Sequence, residues 1–190
     1  MKIIREKPEI LRFIYRQEQG DSHYGSCLWA IFDIDPNRGM LNIQSDCGDY
    51  AHRWPERGKA FLKLLCGLDK GYLLYKLCGE PKEFDEESTL EIVKEYLQDA
   101  EYYEDEERNR EKIERGIARL KDSFDNYLVE NTEFAAYQLD EWNYENDMEI
   151  DDIWELVRTK YSTHQTRIVD IFIEHIEPEI KAVLQNSREE

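Results

Sequence analysis

From Ile10 to Trp54 apolar and polar residues exchange places with a period near two. Leu11, Phe13 and Tyr15 alternate with Arg12 and Arg16, Cys27, Trp29 and Ile31 face away from Leu28, Ala30 and Phe32, and Leu41 and Ile43 alternate with Asn42 and Gln44. The pattern predicts strands. QGDSHYG at 19–25 separates the first two, DPNRG at 35–39 has hairpin chemistry, and CGD at 47–49 can turn the chain into a fourth short strand with Tyr50, His52 and Trp54 on one side. The expected arrangement is an antiparallel meander of three to four strands.

After Pro55 the period becomes helical. Phe61 to Leu68 and Tyr72 to Leu77 predict two short helices around Gly67, with Asp69 as N-cap of the second. Being apolar nearly all round, both are expected to be buried against the sheet. Ser88 to Glu91 reads as a capping box, opening a helix with Leu90, Val93, Leu97 and Ala100 on one stripe. At 100° per residue, Glu91, Glu95, Asp99 and Glu106 fall on an opposite arc roughly 80° wide, with Tyr102 among them. The stripe Ile113, Ile117, Leu120, Phe124 and Leu128 is out of phase with the first, which predicts a break near 103–109 and two antiparallel helices. Thr132 is a candidate cap for a further segment carrying Phe134, Tyr137 and Trp142. NDMEIDD at 146–152 is expected to open a helix that turns Ile150, Ile153, Trp154 and Val157 inward. A last helix from about His164 carries Ile168, Ile171, Phe172, His175 and Ile176, and Pro178 should kink or restart it. The expected fold class is α+β, with residues 1–79 forming the sheet and two helices and residues 80–190 forming an acidic helical bundle packed on them as one compact unit.

Charge changes this picture. The net charge of -18 divides into +2 for residues 1–79 and -20 for residues 80–190. The stretch from Glu80 to Glu107 alone holds thirteen acidic residues and two lysines. Such a field repels nucleic acid and anionic membranes and raises encounter rates with basic protein surfaces. Twelve tyrosines and four tryptophans argue for a folded chain in spite of the charge. Without an eighteen-residue apolar run or a signal-like start, the expectation is a soluble, cytoplasmic protein.

Candidate chemistry is sparse. Cys27, Cys47, Cys66 and Cys78 form no CxxC pair and sit among apolar neighbours, so they are expected to be reduced core residues rather than disulfides or zinc ligands. Asp33 and Asp35 with Asp46 or Asp49 could hold Mg²⁺, although aspartates at a strand end ordinarily make the turn. Glu130, Glu133, Glu149 and Asp152 mimic the ExxE and ExxD pairs of helical nucleotide pyrophosphohydrolases, with a helix start inside the first pair. His52 beside Cys47 has no nucleophile signature and reads as part of a half-exposed strand face. Arg108, Arg110, Lys112, Arg115, Arg119 and Lys121 form a basic run that, folded back antiparallel, would neutralise the acidic helix within the molecule.

The segments CLWAIFDIDPNRGMLNIQ, GDYAHRW and FLKLLCGLDKGYLLYKL, spanning about 25–79, resemble a recurring pattern in small proteins of bacterial prophages and mobile elements. That resemblance implies a phage context, and small acidic phage proteins include inhibitors of host machinery such as anti-CRISPR proteins and other nucleic-acid mimics. The expectation is therefore a non-enzymatic inhibitor without cofactor or metal, whose acidic helices bind a basic nucleic-acid-binding surface of a host protein such as a CRISPR effector. The expected contact residues are Glu91, Glu95, Asp99, Tyr102, Glu104, Asp105 and Glu106, with Asp147, Glu149, Asp151 and Asp152 in the second patch. The alternatives are a Mg²⁺-dependent nuclease or phosphohydrolase, and a self-associating module, for example a homodimer, in which acidic and basic helices pair between chains.

Overall fold

The computed structural model describes residues 3, 9–21, 23–99, 106–127, 129, 131–146, 148 and 150–186, with backbone only for 99 and 106–109. The fold is α+β and the chain folds as two compact units. Unit 1 combines 1–80 with 162–190, and unit 2 is 81–161.

Unit 1 is built on the expected meander. Strands β1 (Leu11–Arg16), β2 (Trp29–Asp35), β3 (Met40–Ser45) and β4 (Tyr50–Arg53) form an antiparallel sheet in sequence order. Phe32 pairs with Phe13 and Ile43 and Ile34 with Leu11 and Leu41, so one face collects Phe32, Ile34, Leu41 and Ile43, all buried. On the other face the Arg12 guanidinium forks onto both carboxylate oxygens of its cross-strand partner Asp33, at 2.6 Å each. The β2–β3 turn uses Asp35, whose Oδ1 accepts from the Arg38 N–H at 3.1 Å, and Gly39 at φ +64°.

Helices α1 (Gly58–Leu65) and α2 (Lys70–Cys78) follow, and Asp69 caps α2 by accepting from the Tyr72 N–H at 2.9 Å. Only one side of α2 is buried. Leu73, Leu74 and Leu77 point inward, whereas Tyr72 and Tyr75 stay exposed with the Lys76 ammonium 5.2 Å from each ring centre. Two helices of eight and nine residues cannot cover four strands, and the missing layer comes from the other end of the chain. The acidic bundle expected over 80–190 therefore ends at Tyr161, and residues from Ser162 onward return to unit 1.

The returning segment begins at Ser162, which forms a capping box with Gln165 at the start of α6 (Thr163–Ile171). A π turn over Phe172–Ile176 leads into α7 (Glu177–Asn186). Pro178 lacks the N–H that an uninterrupted helix would give to the Glu174 carbonyl, and the widened turn just before it absorbs that loss. Ile168, Val169, Ile171, Phe172, Ile176 and Ile180 are buried, and Phe172 meets Phe32 of the sheet at a ring separation of 6.1 Å.

Unit 2 is helical. Helix α3 (Glu86–Asp99) starts two residues before the expected capping box. Asp85 occupies the cap, taking the Ser88 N–H at 3.4 Å and its hydroxyl at 2.9 Å, because a carboxylate meets the positive helix end better than a hydroxyl. Helix α4 (Glu106–Tyr127) runs antiparallel to α3, since Lys121 near its end reaches Glu86 at the start of α3. Of the break expected near 103–109, residues 106–109 already belong to α4, while 103–105 and the apolar positions Ala100 and Leu128 lie outside the described residues. Helix α5 (Thr132–Glu145) is capped by Asn131, one residue before the expected Thr132, with its Oδ1 accepting from the Phe134 N–H at 2.9 Å.

Instead of opening a helix, the segment after α5 makes a single 3₁₀ turn at Ile153–Glu155, with Asp152 left-handed at φ +49°. That turn buries Ile150 and Ile153 but leaves Trp154 66% exposed, contrary to the inward position expected for it. The chain must then extend, because β6 (Thr159–Lys160) pairs with β5 (Glu83–Phe84). Fully buried Thr89 ties this segment to α3 by accepting the Arg158 N–H at 2.9 Å. Thr89→Val keeps the shape and orphans that N–H, so a loss of about 1–3 kcal/mol is expected in urea unfolding of unit 2. A smaller change would mean that water replaces the hydroxyl.

Candidate acidic interface

The charge resides almost wholly on unit 2. Its residues, 81–161, contain 26 Asp and Glu against 10 Lys and Arg, whereas unit 1 contains 17 against 15. On α3 the buried side is Thr89, Val93 and Leu97, which leaves Glu91 and Glu95 exposed on the opposite side as expected. Among the described residues neither forms an ion pair. Asp99 ends this helix, and its side chain, like that of Glu106, is outside the described residues. Tyr102, Glu104, Asp105, Asp147 and Glu149 lie outside them as well, so only Glu91, Glu95, Asp151 and Asp152 of the expected contact set have a described surface position, and all four are exposed.

Among the described residues the basic run does not pair with Glu91 or Glu95. Arg110 pairs with Glu114 at 3.3 Å and Arg115 with Glu111 at 4.0 Å, both one turn apart on α4. Arg119 donates to the Asn146 side chain at 3.2 Å. Lys121 alone among the described residues bridges from α4 to α3, at Glu86, and it also holds Asp125. Pairs at i,i+4 are favoured by helix geometry over pairs that cross to a neighbour, and among the described residues Glu91 and Glu95 of α3 stay outside the ion pairs.

Sequence reading missed an acidic face on α5. Glu133, Tyr137, Asp140, Glu141 and Tyr144 of α5 are all exposed and fall within an arc of about 100°. Ala135, Leu139 and Trp142 form the buried stripe behind them, with the Trp142 indole donating to the Gly116 carbonyl at 2.9 Å. No lysine or arginine occurs anywhere in 131–146. The Tyr137 hydroxyl donates to Glu141 at 2.5 Å, which raises its pKa, so the ring stays protonated within the carboxylate row. Tyr144 is 86% exposed. The signal was present in the spacing 133, 137, 140/141, 144, but the density of the Glu80–Glu107 stretch overshadowed it.

Several carboxylates of the catalytic alternatives are taken up in local contacts. Asp33 is held by Arg12, Asp35 is buried in the turn, and Asp46 accepts from the Leu28 and Trp29 N–H groups at 2.9 and 3.2 Å. Partial burial disfavours its charge, yet these N–H bonds prevail and hold its pKa below the ordinary value. In the pyrophosphohydrolase-like set Glu130 and Glu149 are outside the described residues, and Asp152 stands in the irregular segment rather than on a helix. The four cysteines are free, as expected. Cys27 and Cys47 are buried, and burial first, then their mutual contact, pushes the Cys27 thiol upward.

His52 packs edge-on against Trp54, with ring centres 4.4 Å apart, and Trp54 belongs to the core rather than to a half-exposed face. Burial, and then nearby Lys76, hold His52 below its ordinary value of 6.5. The unfolded chain therefore binds the extra proton, and stability falls as pH drops through 6.5. His52→Gln is expected to flatten that decline, measured as urea midpoints at about pH 7 and about pH 5. An unchanged decline would assign it to carboxylates instead.

Among the described residues no helix is long and apolar enough to cross a membrane. A protein-family model described as a phage family, Phage_phiTE_072, matches residues 1–182. Neither the curated proteins nor the solved structures contain a match to the chain.

Proposed function

The chain belongs to the Phage_phiTE_072 phage family, and from that premise we propose that unit 2 is a non-enzymatic inhibitor module whose acidic helices occupy a basic, nucleic-acid-binding surface of a host protein. The observation that carries this reading is the exposed α5 row of Glu133, Asp140 and Glu141 interleaved with Tyr137 and Tyr144, on a helix without a single Lys or Arg. A groove built to hold phosphates presents Lys and Arg at repeated spacing, and carboxylates on a rigid helix meet the same cations. Tyrosine adds stacking surface for arginine planes and aromatic residues, at low conformational cost. Glu91 and Glu95 on α3, and Asp151 and Asp152, extend the acidic surface of the same unit. A CRISPR effector or another defence nuclease is the host class that fits this chemistry.

Two kinds of support favour this over the alternatives. Of the strand-end aspartates, Asp33 is held by the Arg12 guanidinium and buried Asp35 by the Arg38 N–H of its own turn, which speaks against a Mg²⁺-dependent site built on that pair. Pairing of acidic and basic helices between chains finds Arg110 and Arg115 already engaged within α4. The test is capture of host proteins on the immobilised chain, followed by elution with duplex DNA, with RNA and with salt. Partners that nucleic acid displaces support the reading. Retention of every partner against both competitors overturns it.

A further inference from the structure

We propose that Cys27, Asp46 and Cys47 form a binding site for a thiophilic divalent cation of the Zn²⁺ type at the end of the β2–β3 hairpin. In sequence the two cysteines are separated by twenty positions and belong to no metal motif, but the hairpin returns the chain to its own starting level. Ala30 pairs with Ser45, so the residues just before β2 and just after β3 meet. One ligand atom each from Cys27, Asp46 and Cys47 lies within 4.8 Å of the other two. Both thiols are buried, at 1% and 5% exposure, and the carboxylate is exposed, which supplies a route in from solvent.

The donor set matches the ion. Two thiolates and one carboxylate are ligands that Zn²⁺ accepts at about 2.3 Å and about 2.1 Å, and thiolates discriminate against Mg²⁺ and Ca²⁺. Tetrahedral bonds of that length set ligand atoms about 3.5–4 Å apart, and Cys27 Sγ already lies 3.4 Å from Asp46 Oδ1. Asp46 is already ionised and fixed in orientation, because the N–H groups of Leu28 and Trp29 each occupy one lone pair of its two oxygens. The Cys27 thiol already points at Asp46 Oδ1, at 3.4 Å, and the Cys47 thiol at the Ser26 carbonyl, at 3.0 Å. On binding, both thiol protons leave to solvent and the ion takes their place between sulfur and oxygen. The fourth position stays open for water.

The test uses Co²⁺ as a spectroscopic stand-in on the reduced full-length chain. One equivalent is expected to produce sulfur-to-cobalt charge-transfer absorption with tetrahedral d–d bands, and equimolar Zn²⁺ is expected to bleach both. Cys27→Ser is expected to abolish the spectrum, and Asp46→Asn to weaken Co²⁺ binding by about tenfold or more. The double variant Cys66→Ser/Cys78→Ser is expected to keep the spectrum. Absence of a charge-transfer band in the wild-type chain overturns the proposal without reference to any variant. A band that survives Cys27→Ser, or that is lost in the Cys66/Cys78 double variant, overturns it too.

Discussion

Replacing Phe172 with alanine is expected to remove about 3–5 kcal/mol from the stability of unit 1, the range for a fully buried aromatic truncated in a packed core. The ring is 1% exposed and sits 6.1 Å from that of Phe32, which is itself fully buried at the centre of the sheet. It stands on the segment that supplies the layer α1 and α2 are too short to provide. Truncation leaves a cavity between the two ends of the chain, in a place where neither the sheet nor the π turn can relax far. Native-state hydrogen exchange reads the effect by region. Amides of β2, β3 and α6 should exchange faster in Phe172→Ala, whereas a loss below about 1 kcal/mol would mean that the C-terminal segment is not part of the core of unit 1.

Gly39→Ala is expected to cost at least about 3 kcal/mol, for two separate reasons. At φ +64° a side chain of L configuration costs about 1–2 kcal/mol by itself. An added Cβ would also stand 2.7 Å from the Trp54 carbonyl oxygen and closer still to the Glu56 carbonyl oxygen and Arg57 Nη1. Those atoms cannot move singly. Trp54 N–H donates to the Gly39 carbonyl at 2.8 Å, Gly58 N–H to the Pro36 carbonyl at 2.7 Å, and Arg57 clasps the Glu56 and Trp54 carbonyls. The β2–β3 turn and the β4–α1 junction are thus one knot of backbone. Chemical denaturation should show the loss, and a midpoint unchanged from wild type would show that the knot yields freely.

The two halves of the chain differ in how far their sequence reveals them. Strands β1 to β4 were legible because alternation, the DPNRG turn and the Asp69 cap are local signals, each completed within a few residues of itself. The destination of α6 and α7 was not. Their apolar stripe shows that the segment buries one side, but Phe172 meets Phe32 across 140 positions, and no local pattern specifies a partner that distant. Capping residues shifted by one to three positions, to Asp85 and Asn131, because several polar residues near each helix start compete for the same N–H groups. Trp154 was placed inward on a helical period that the left-handed Asp152 interrupts.

The acidic surface was legible in amount, whereas the face on α5 was not read from the sequence. Glu91 and Glu95 are exposed as their phase on α3 requires. The compensation expected from the basic run depended on which neighbours its side chains chose, and i,i+4 partners on α4 prevailed. The row on α5 is defined as much by the cations it lacks as by its three acids. A count of charge along the chain does not register that absence, whereas the packing of Ala135, Leu139 and Trp142 turns it into a face.

Binding of the captured host partner, measured across ionic strength for the wild-type chain and for two charge reversals, tests the proposed interface most directly. The reversals are Glu133→Lys/Asp140→Lys/Glu141→Lys on α5 and Glu91→Lys/Glu95→Lys on α3, all at exposed positions. For the wild type, association is expected to slow steeply as salt rises through about 0.1 M, and the α5 reversal is expected to weaken affinity by about a hundredfold, more than the α3 reversal does. Affinity that ignores salt, together with an α5 reversal that binds as tightly as the wild type, would contradict an interface made of these carboxylates.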